Sequence, residues 1–227
     1  MPRITFEQQK QHIKEEILLL GSMVEQAILD SVKALKNRDI AASQRIHKDD
    51  LIINEKRFSL ENAILISMAT QQPFARDLRE LAAMLIVVNE LERMGDYAKG
   101  IAKTNERLGL SDIPIPIRDF EKMAELGVSM LHRALKAFVD QDPKTAVKIP
   151  QEDDEVDALF NKTYHSIVNS MIANPSTIDQ ANLLMWVAHN LERMADRVTN
   201  ICERTVFICS GELLEMDSSY DEDEELY

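Results

Sequence analysis

An eleven-residue motif that occurs twice constrains the fold of this chain more than any other feature. The first copy covers residues 91–101 and reads Leu-Glu-Arg-Met-Gly-Asp-Tyr-Ala-Lys-Gly-Ile. The second covers residues 191–201 and reads Leu-Glu-Arg-Met-Ala-Asp-Arg-Val-Thr-Asn-Ile. A separation of 100 residues is too long for a short solenoid repeat, so it indicates a duplicated unit of several secondary-structure elements.

The composition of the chain is typical of long helices. Among 227 residues there are only 6 Gly and 7 Pro, and aromatic residues make up 5% although hydrophobic residues make up 45%. Such scarcity of turn formers and aromatics argues against a sheet protein. Turn-forming residues divide the chain into six predicted helices, at residues 5–37, 39–68, 74–108, 118–139, 143–173 and 177–215.

These helices and the duplication predict an all-α fold of two tandem antiparallel three-helix bundles. The first bundle is expected over residues 1–111 and the second over residues 112–216, with the proline-containing stretch 111–116 as the connection. Helices of about 30–35 residues are roughly 45–50 Å long. Each bundle would therefore be a rod, and two rods packed side by side would form a broad shared core.

The charge of the chain argues against a nucleic-acid partner. The formal net charge is −13, whereas nucleic-acid binding depends on Lys and Arg that neutralise phosphates. Part of this charge lies in residues 217–227, which hold six acidic residues and neither Lys nor Arg. We expect this segment to be a disordered acidic tail.

The cysteines and the hydropathy of the chain predict a cytoplasmic protein. Cys202 and Cys209 lie two helical turns apart, too far for a disulfide within one helix, which favours a reducing compartment. Residues 1–10 lack the apolar run of a signal peptide, and no stretch is long and apolar enough to span a membrane.

Acidic residues recur at a spacing of four in both halves of the chain. On a helix this spacing places both side chains on one face. In the two motif copies the pairs are Glu92 with Asp96 and Glu192 with Asp196; in the second and fifth predicted helices the corresponding pairs are Asp50 with Asn54 and Asp153 with Asp157. Such oxygen donors suit a hard or borderline cation such as Mg²⁺, Ca²⁺, Mn²⁺ or iron. The alternative is that these are solvated acidic faces with salt bridges inside a helix, for instance between Glu92 and Lys99.

The doubled Leu-Glu-Arg-Met-Gly/Ala-Asp motif, the acidic pairs and the segment Pro-Phe-Ala-Arg-Asp-Leu-Arg at residues 73–79 resemble the PhoU family over nearly the whole chain. The resemblance implies two three-helix bundles, negative regulation of phosphate uptake and of the phosphate-starvation response, and metal clusters on the acidic motifs. Iron is the metal expected first, with Mn, Mg, Ca or Zn as alternatives. Transferred to this chain, the implied metal ligands are Asp50, Glu92, Asp96, Asp153, Asp157, Glu192 and Asp196. Asn54 stands where an acid is expected, so the first site would bind metal more weakly.

The resemblance also implies a homodimer that contacts two partners at the membrane, the ATPase of the phosphate ABC transporter and a phosphate-sensing histidine kinase. The protein itself would reach the membrane only through these partners. No catalytic residues are predicted, and the chain is expected to be a regulator and not an enzyme.

Three other interpretations remain to be compared with this one. A carboxylate-bridged di-iron oxidase needs Glu-x-x-His motifs, and none of the five histidines has a Glu three residues earlier. A histidine phosphotransfer domain would use an exposed histidine such as His47 or His189. A metal-free helical scaffold would use the acids only for solubility. Arg93 and Arg193 of the motif could bind phosphate or an acidic partner, although a structural salt bridge is the preferred interpretation.

Overall fold

The computed structural model describes residues 3–109 and 113–216, and no strand occurs within these ranges. The long helices are α1 (Arg3–Asn37), α2 (Ile40–Gln71), α3 (Arg76–Leu108), α4 (Ile117–Asp140), α6 (Asp153–Ala173) and α7 (Ile178–Ser210). A four-residue helix α5 (Pro143–Ala146) and two single turns of 3₁₀ helix, Pro150–Glu152 and Pro175–Thr177, lie between them. The predicted all-α fold with six long helices is confirmed.

Local sequence explains several of the helix ends. The side chain of Asp39 accepts a hydrogen bond from the backbone N–H of Ala42 at 2.8 Å and so caps α2. Asp142 caps α5 in the same way, ahead of a proline in the first turn. Gly211 ends α7 in the left-handed conformation, with a φ of 82°, which a residue without a side chain adopts without strain.

The fifth predicted helix, over residues 143–173, was wrong at its start. The chain instead forms α5, then the turn at Pro150, and only then α6 from Asp153. Pro150 has no backbone N–H to donate to the carbonyl of Ala146, as a continuous helix through this position would require. The acidic pair that begins with Asp153 therefore stands in the first turn of α6, not in the middle of a long helix.

The six long helices form two three-helix groups that share one core. Helices α1, α2 and α3 pack together, as do α4, α6 and α7, while α3 packs against α7 and α1 against α4. One continuous cluster of buried apolar side chains includes members of both groups, among them Leu20, Leu91, Phe120 and Met194. The expected shared core is therefore confirmed. The boundary predicted between residues 111 and 112 and the tail at 217–227 lie outside the described residues, so the division into domains stays a prediction.

Helices α3 and α7 run antiparallel through the centre of the molecule. Arg197 lies beside Glu90, and Asn190 lies beside Gly100 so closely that a Cβ on that glycine would be 2.9 Å from its Nδ2 atom. The two motif copies consequently lie next to each other, related by an approximate twofold rotation. Within the described residues, no helix has the length and apolar character needed to cross a membrane.

Candidate functional site

Three carboxylates of the second repeat converge between α6 and α7. Asp153 and Asp157 lie one turn apart on α6, and Asp196 faces them from α7. One oxygen from each of the three side chains lies within 4.8 Å of the other two. A metal ion with Ca²⁺- or Mg²⁺-like bond lengths of about 2.0–2.6 Å could contact all three. The donor set and its spacing therefore fit a hard cation.

Glu192 lies one turn before Asp196 on α7, on the side that faces His189. Its Oε2 atom is 3.2 Å from Nδ1 of His189, in a geometry that makes no hydrogen bond. Burial and, to a lesser extent, the charges of Asp196 and Asp157 together raise the pKa of Glu192 to about 7, partly opposed by Arg193. Burial and the neighbouring Arg193 lower the pKa of His189. Negative charge is thus crowded at this site, and a bound cation would relieve the crowding.

The corresponding carboxylates of the first repeat surround a lysine. Asp50 on α2 has only 3% of its surface exposed and accepts hydrogen bonds from Lys99 Nζ at 2.6 Å and from Asn54 Nδ2 at 3.1 Å. The same ammonium group lies 3.4 Å from Asp96. Lys99 therefore joins the carboxylates of α2 and α3. In the second motif copy the equivalent residue is Thr199.

An arginine provides a second cation in the first repeat. The Nη1 atom of Arg57 is 2.8 Å from Glu61, and its Nε atom is 3.9 Å from Glu92. Burial and the charge of Asp96 raise the pKa of Glu92, while Arg57 opposes this shift. By the alignment of Asp50 with Asp153, Phe160 is the equivalent of Arg57. The second repeat therefore has neither cation at these two positions.

The structure brings the predicted acids together in each repeat but gives them different neighbours. Asp50 and Asp96 share Lys99, while Asp153, Asp157 and Asp196 form a group of three carboxylates. Whether any of the seven residues binds a metal stays a prediction. Sequence reasoning anticipated an ion pair between Glu92 and Lys99 as the alternative, and missed that Lys99 reaches Asp50 across the helix interface. The sequence does show that the two repeats differ at this position, because the first motif copy has Lys99 where the second has Thr199.

An apolar cavity that the sequence analysis did not anticipate lies next to the carboxylates of the second repeat. Its volume is about 240 Å³, and it is lined by Phe160, Tyr164, Asn182, Met185, Trp186, Ala188 and His189. Trp186 has 55% of its surface exposed. The aromatic residues recur at helical spacing on α6 and α7, which is the signal that could have revealed the cavity.

The arginines at the α3–α7 interface are mostly engaged within the protein. Arg197 donates a hydrogen bond from Nε to the Tyr97 hydroxyl at 3.2 Å and lies 3.4 Å from Glu90. The guanidinium of Arg193 lies 5.6 Å from the centre of the Tyr97 ring, a cation–π contact. Arg193 thus has a structural partner, although it is an aromatic ring and not the carboxylate expected from sequence.

Comparison with known proteins identifies relatives over nearly the entire chain. Residues 17–104 and 120–205 each match the family model described as PhoU domain. A phosphate-specific transport system accessory protein PhoU homolog of Clostridium acetobutylicum is 32% identical over 218 residues, which are 96% of this chain and 100% of that protein. The crystal structure of PhoU from Pseudomonas aeruginosa superimposes with a TM-score of 0.86 at 26% identity and covers 91% of this chain and 100% of that one. The phosphate transport system regulatory protein PhoU from Streptococcus pneumoniae gives a TM-score of 0.86 at 28% identity, with coverage of 92% and 99%.

Proposed function

The chain belongs to the PhoU family, and from this premise we propose that it is an accessory protein of phosphate-specific transport that restrains phosphate uptake and the phosphate-starvation response. The observation that carries the proposal is the match of both repeats, with the relatives covered over almost their entire length. The role is regulatory and not enzymatic: the protein acts by contact with other proteins.

We propose that the chain works in the cytoplasm as a homodimer that docks on the transporter ATPase and on the phosphate-sensing histidine kinase. An apolar stripe on α2 supports a protein-binding role. Leu51, Phe58 and Leu65 are spaced by seven residues and all are exposed, with Ile52 and Ile66 beside them. An exposed stripe of this kind is a common mark of a protein–protein interface.

We further propose that the second repeat holds the metal. Asp153, Asp157 and Asp196 would supply the first ligands, with Glu192 beside them, and iron is the first candidate, followed by Mn, Mg, Ca or Zn. The metal would neutralise the crowded carboxylates and join α6 to α7. In the first repeat the donors do not fit a metal in this arrangement, because Lys99 already lies between Asp50 and Asp96.

Phosphate uptake measures the regulatory role directly. In a bacterium whose own PhoU protein has been deleted, we expect expression of this chain to lower uptake of radiolabelled phosphate in phosphate-rich medium towards the rate of the undeleted strain. The purified transporter ATPase should also be retained by the immobilised chain. Unchanged uptake, despite accumulation of folded protein, would rule out the proposed role in that host.

Elemental analysis of protein purified without chelator or affinity metal tests the metal site. We expect at least about one metal ion per chain, lost when Asp157→Asn and Asp196→Asn are combined. The matched variant Asp96→Asn, at the equivalent position of the first repeat, should retain the metal. Helix content measured by circular dichroism should be unchanged in all three proteins.

A metal-free scaffold is the second candidate function, and the first repeat favours it there. Its carboxylates already have Lys99 and Arg57 as partners, so they need no external cation. If the native chain contains no metal, or if the double variant of Asp157 and Asp196 keeps as much metal as Asp96→Asn, the carboxylates of the second repeat do not hold a metal either.

A further inference from the structure

The cavity of the second repeat lies beside one of its carboxylates, Glu192, which is 3.2 Å from the lining residue His189. We call the surface formed by Phe160, Tyr164, Trp186, His189 and Glu192 the acid–aromatic groove. Its rings are in contact: the centroids of Phe160 and Tyr164 are 6.3 Å apart, and those of Trp186 and His189 are 6.0 Å apart. Glu192 follows His189 by one helical turn, so the apolar cavity has a carboxylate at one end.

The size of the cavity suits a single side chain. Pockets for drug-sized ligands begin at about 300 Å³, whereas this cavity measures about 240 Å³. Tryptophan and tyrosine exposed beside a cavity are also the residue types most enriched at protein-binding hot spots. A protein segment that inserts one apolar side chain therefore fits better than a larger organic molecule.

The first repeat indicates which charge the acidic end accepts. At the equivalent positions it has Arg57 in place of Phe160, Glu61 in place of Tyr164, and Ile86 in place of Trp186. The guanidinium of Arg57 pairs with Glu61 and lies 3.9 Å from Glu92, the equivalent of Glu192. The same framework thus holds a basic side chain of its own in the first repeat, and an aromatic cavity in the second.

We propose that the acid–aromatic groove binds a segment of a partner protein in which an aromatic or aliphatic side chain stands next to an arginine or lysine. The apolar side chain enters the cavity, and the basic side chain reaches Glu192 as Arg57 reaches Glu92. Residues 217–227 of the chain itself carry six acids and neither Lys nor Arg, so they have the wrong charge for this role. The inference rests on the proposed adaptor function and adds the site and the chemistry of one partner.

Selection from a random library of 12-residue displayed peptides tests the proposal on the full chain. The same selection is run in parallel on the Phe160→Arg variant, which gives the second repeat the basic side chain of the first. We expect enriched peptides that combine an aromatic or aliphatic residue with a neighbouring Arg or Lys, recovered from the native chain and not from the variant. No enrichment, a consensus without a basic residue, or equal recovery from the variant would overturn the proposal.

A synthetic consensus peptide without tryptophan then gives a quantitative measurement, because Trp186 is the single tryptophan of the chain. The fluorescence of Trp186 should shift to shorter wavelength as the peptide is added, and the shift should reach a plateau at saturation. Glu192→Gln should weaken binding at least about tenfold, and its matched control Glu92→Gln should leave binding unchanged. Replacing the Arg or Lys of the peptide by Glu should abolish the shift. Equal binding by Glu192→Gln and Glu92→Gln, or by the acidic peptide, would contradict the proposal.

Two further measurements separate this proposal from the proposed function. The titration is repeated with a chelator, and the metal content of each variant is determined. Peptide binding that persists with chelator supports the groove whether or not a metal is present. Normal repression of phosphate uptake without any peptide binding would reject the groove as a binding site and leave the regulatory function supported. Peptide binding without repression would support the groove and reject the regulatory function.

Discussion

At the scale of single residues, the two repeats differ in charge at position 99 and its equivalent 199. Lys99 places an ammonium group against a buried carboxylate, Asp50, whereas Thr199 has no charge. A buried carboxylate needs a nearby positive charge or strong hydrogen bonds to remain ionised. In the first repeat this positive charge therefore comes from the chain itself, and the second motif copy has no cation at the equivalent position.

Substitution of Lys99 by the residue found in the second repeat should destabilise the protein. We expect Lys99→Thr to lower the free energy of unfolding by about 3 kcal/mol at neutral pH, because it leaves Asp50 buried without its ammonium partner. Urea denaturation measures the change. The control Lys103→Thr, an exposed position one turn later on α3, should cost less than about 0.5 kcal/mol. Equal losses in both variants would show that the ion pair to Asp50 contributes nothing specific.

The ionisation of Glu192 should destabilise the metal-free protein as pH rises. Its folded-state pKa of about 7 lies above the ordinary value of 4.5, so between these values the folded state binds more protons than the unfolded state. Stability should fall from pH 5 to pH 8, and Glu192→Gln should remove part of that fall, of the order of 2 kcal/mol.

Urea denaturation at the two pH values, with chelator present, measures this difference. The control Glu155→Gln changes an exposed carboxylate on α6 and should leave the pH dependence as in the native chain. A Glu192→Gln variant whose change in stability between pH 5 and pH 8 equals that of the native chain would contradict the raised pKa.

At the scale of helices, the sequence predicted the number and order of the long helices well, and their first and last residues less well. The turn-forming residues predicted six long helices, and the structure shows that Asp39 caps α2 and Asp142 caps α5. Pro150 was visible in the sequence, but the predicted fifth helix ran through it, and the structure breaks there. The break at Pro150 was therefore predictable from local chemistry, because a helix cannot use the missing N–H of a proline in its interior.

The candidate site shows where sequence prediction stops. The spacing of four placed each pair of acids on one face of its helix, because that relation is set within a single helix. The contact between Lys99 and Asp50 joins α2 to α3, and the cavity beside Trp186 lies between α6 and α7. Such contacts depend on how two helices are rotated against each other, which the spacing within one helix does not determine.

Close approach of α1 and α4 should make Gly21 sensitive to substitution. A Cβ built on Gly21 would clash with Leu135, which lies across the interface between the repeats. We expect Gly21→Ala to lower the free energy of unfolding by about 1 kcal/mol, because overpacking exceeds the gain in helix propensity. The double variant Gly21→Ala, Leu135→Val should lose about 1 kcal/mol less free energy of unfolding than the sum of the two single losses, because the smaller valine makes room for the new methyl group. Simple additivity in thermal denaturation would show that the interface absorbs the methyl group freely.

At the scale of the whole molecule, the central pair α3 and α7 makes the two bundles one structure. Both helices bury apolar side chains from end to end, in a core to which both repeats contribute. Either half alone would expose the surface that the other half covers. We therefore expect the two bundles to fold together as one unit and not as two separate ones.

Separate expression of residues 1–111 and 112–216 should show this dependence. We expect each half alone to unfold without a cooperative transition, and the two halves to copurify when they are expressed together, because the apolar faces of α3 and α7 need each other. Circular dichroism during thermal denaturation and size-exclusion chromatography measure the two outcomes. Cooperative unfolding of each isolated half would establish two independent domains.

The antiparallel contact between α3 and α7 also has an evolutionary consequence. If the two repeats were separate chains in a symmetric homodimer, every substitution would occur in both halves at once. Since they are covalently joined, a mutation that introduces a lysine or an aromatic ring changes one half and leaves the other as it was. The covalent link thus frees the two halves from having to be alike, so that the two repeats can keep the same helical framework and differ in surface chemistry.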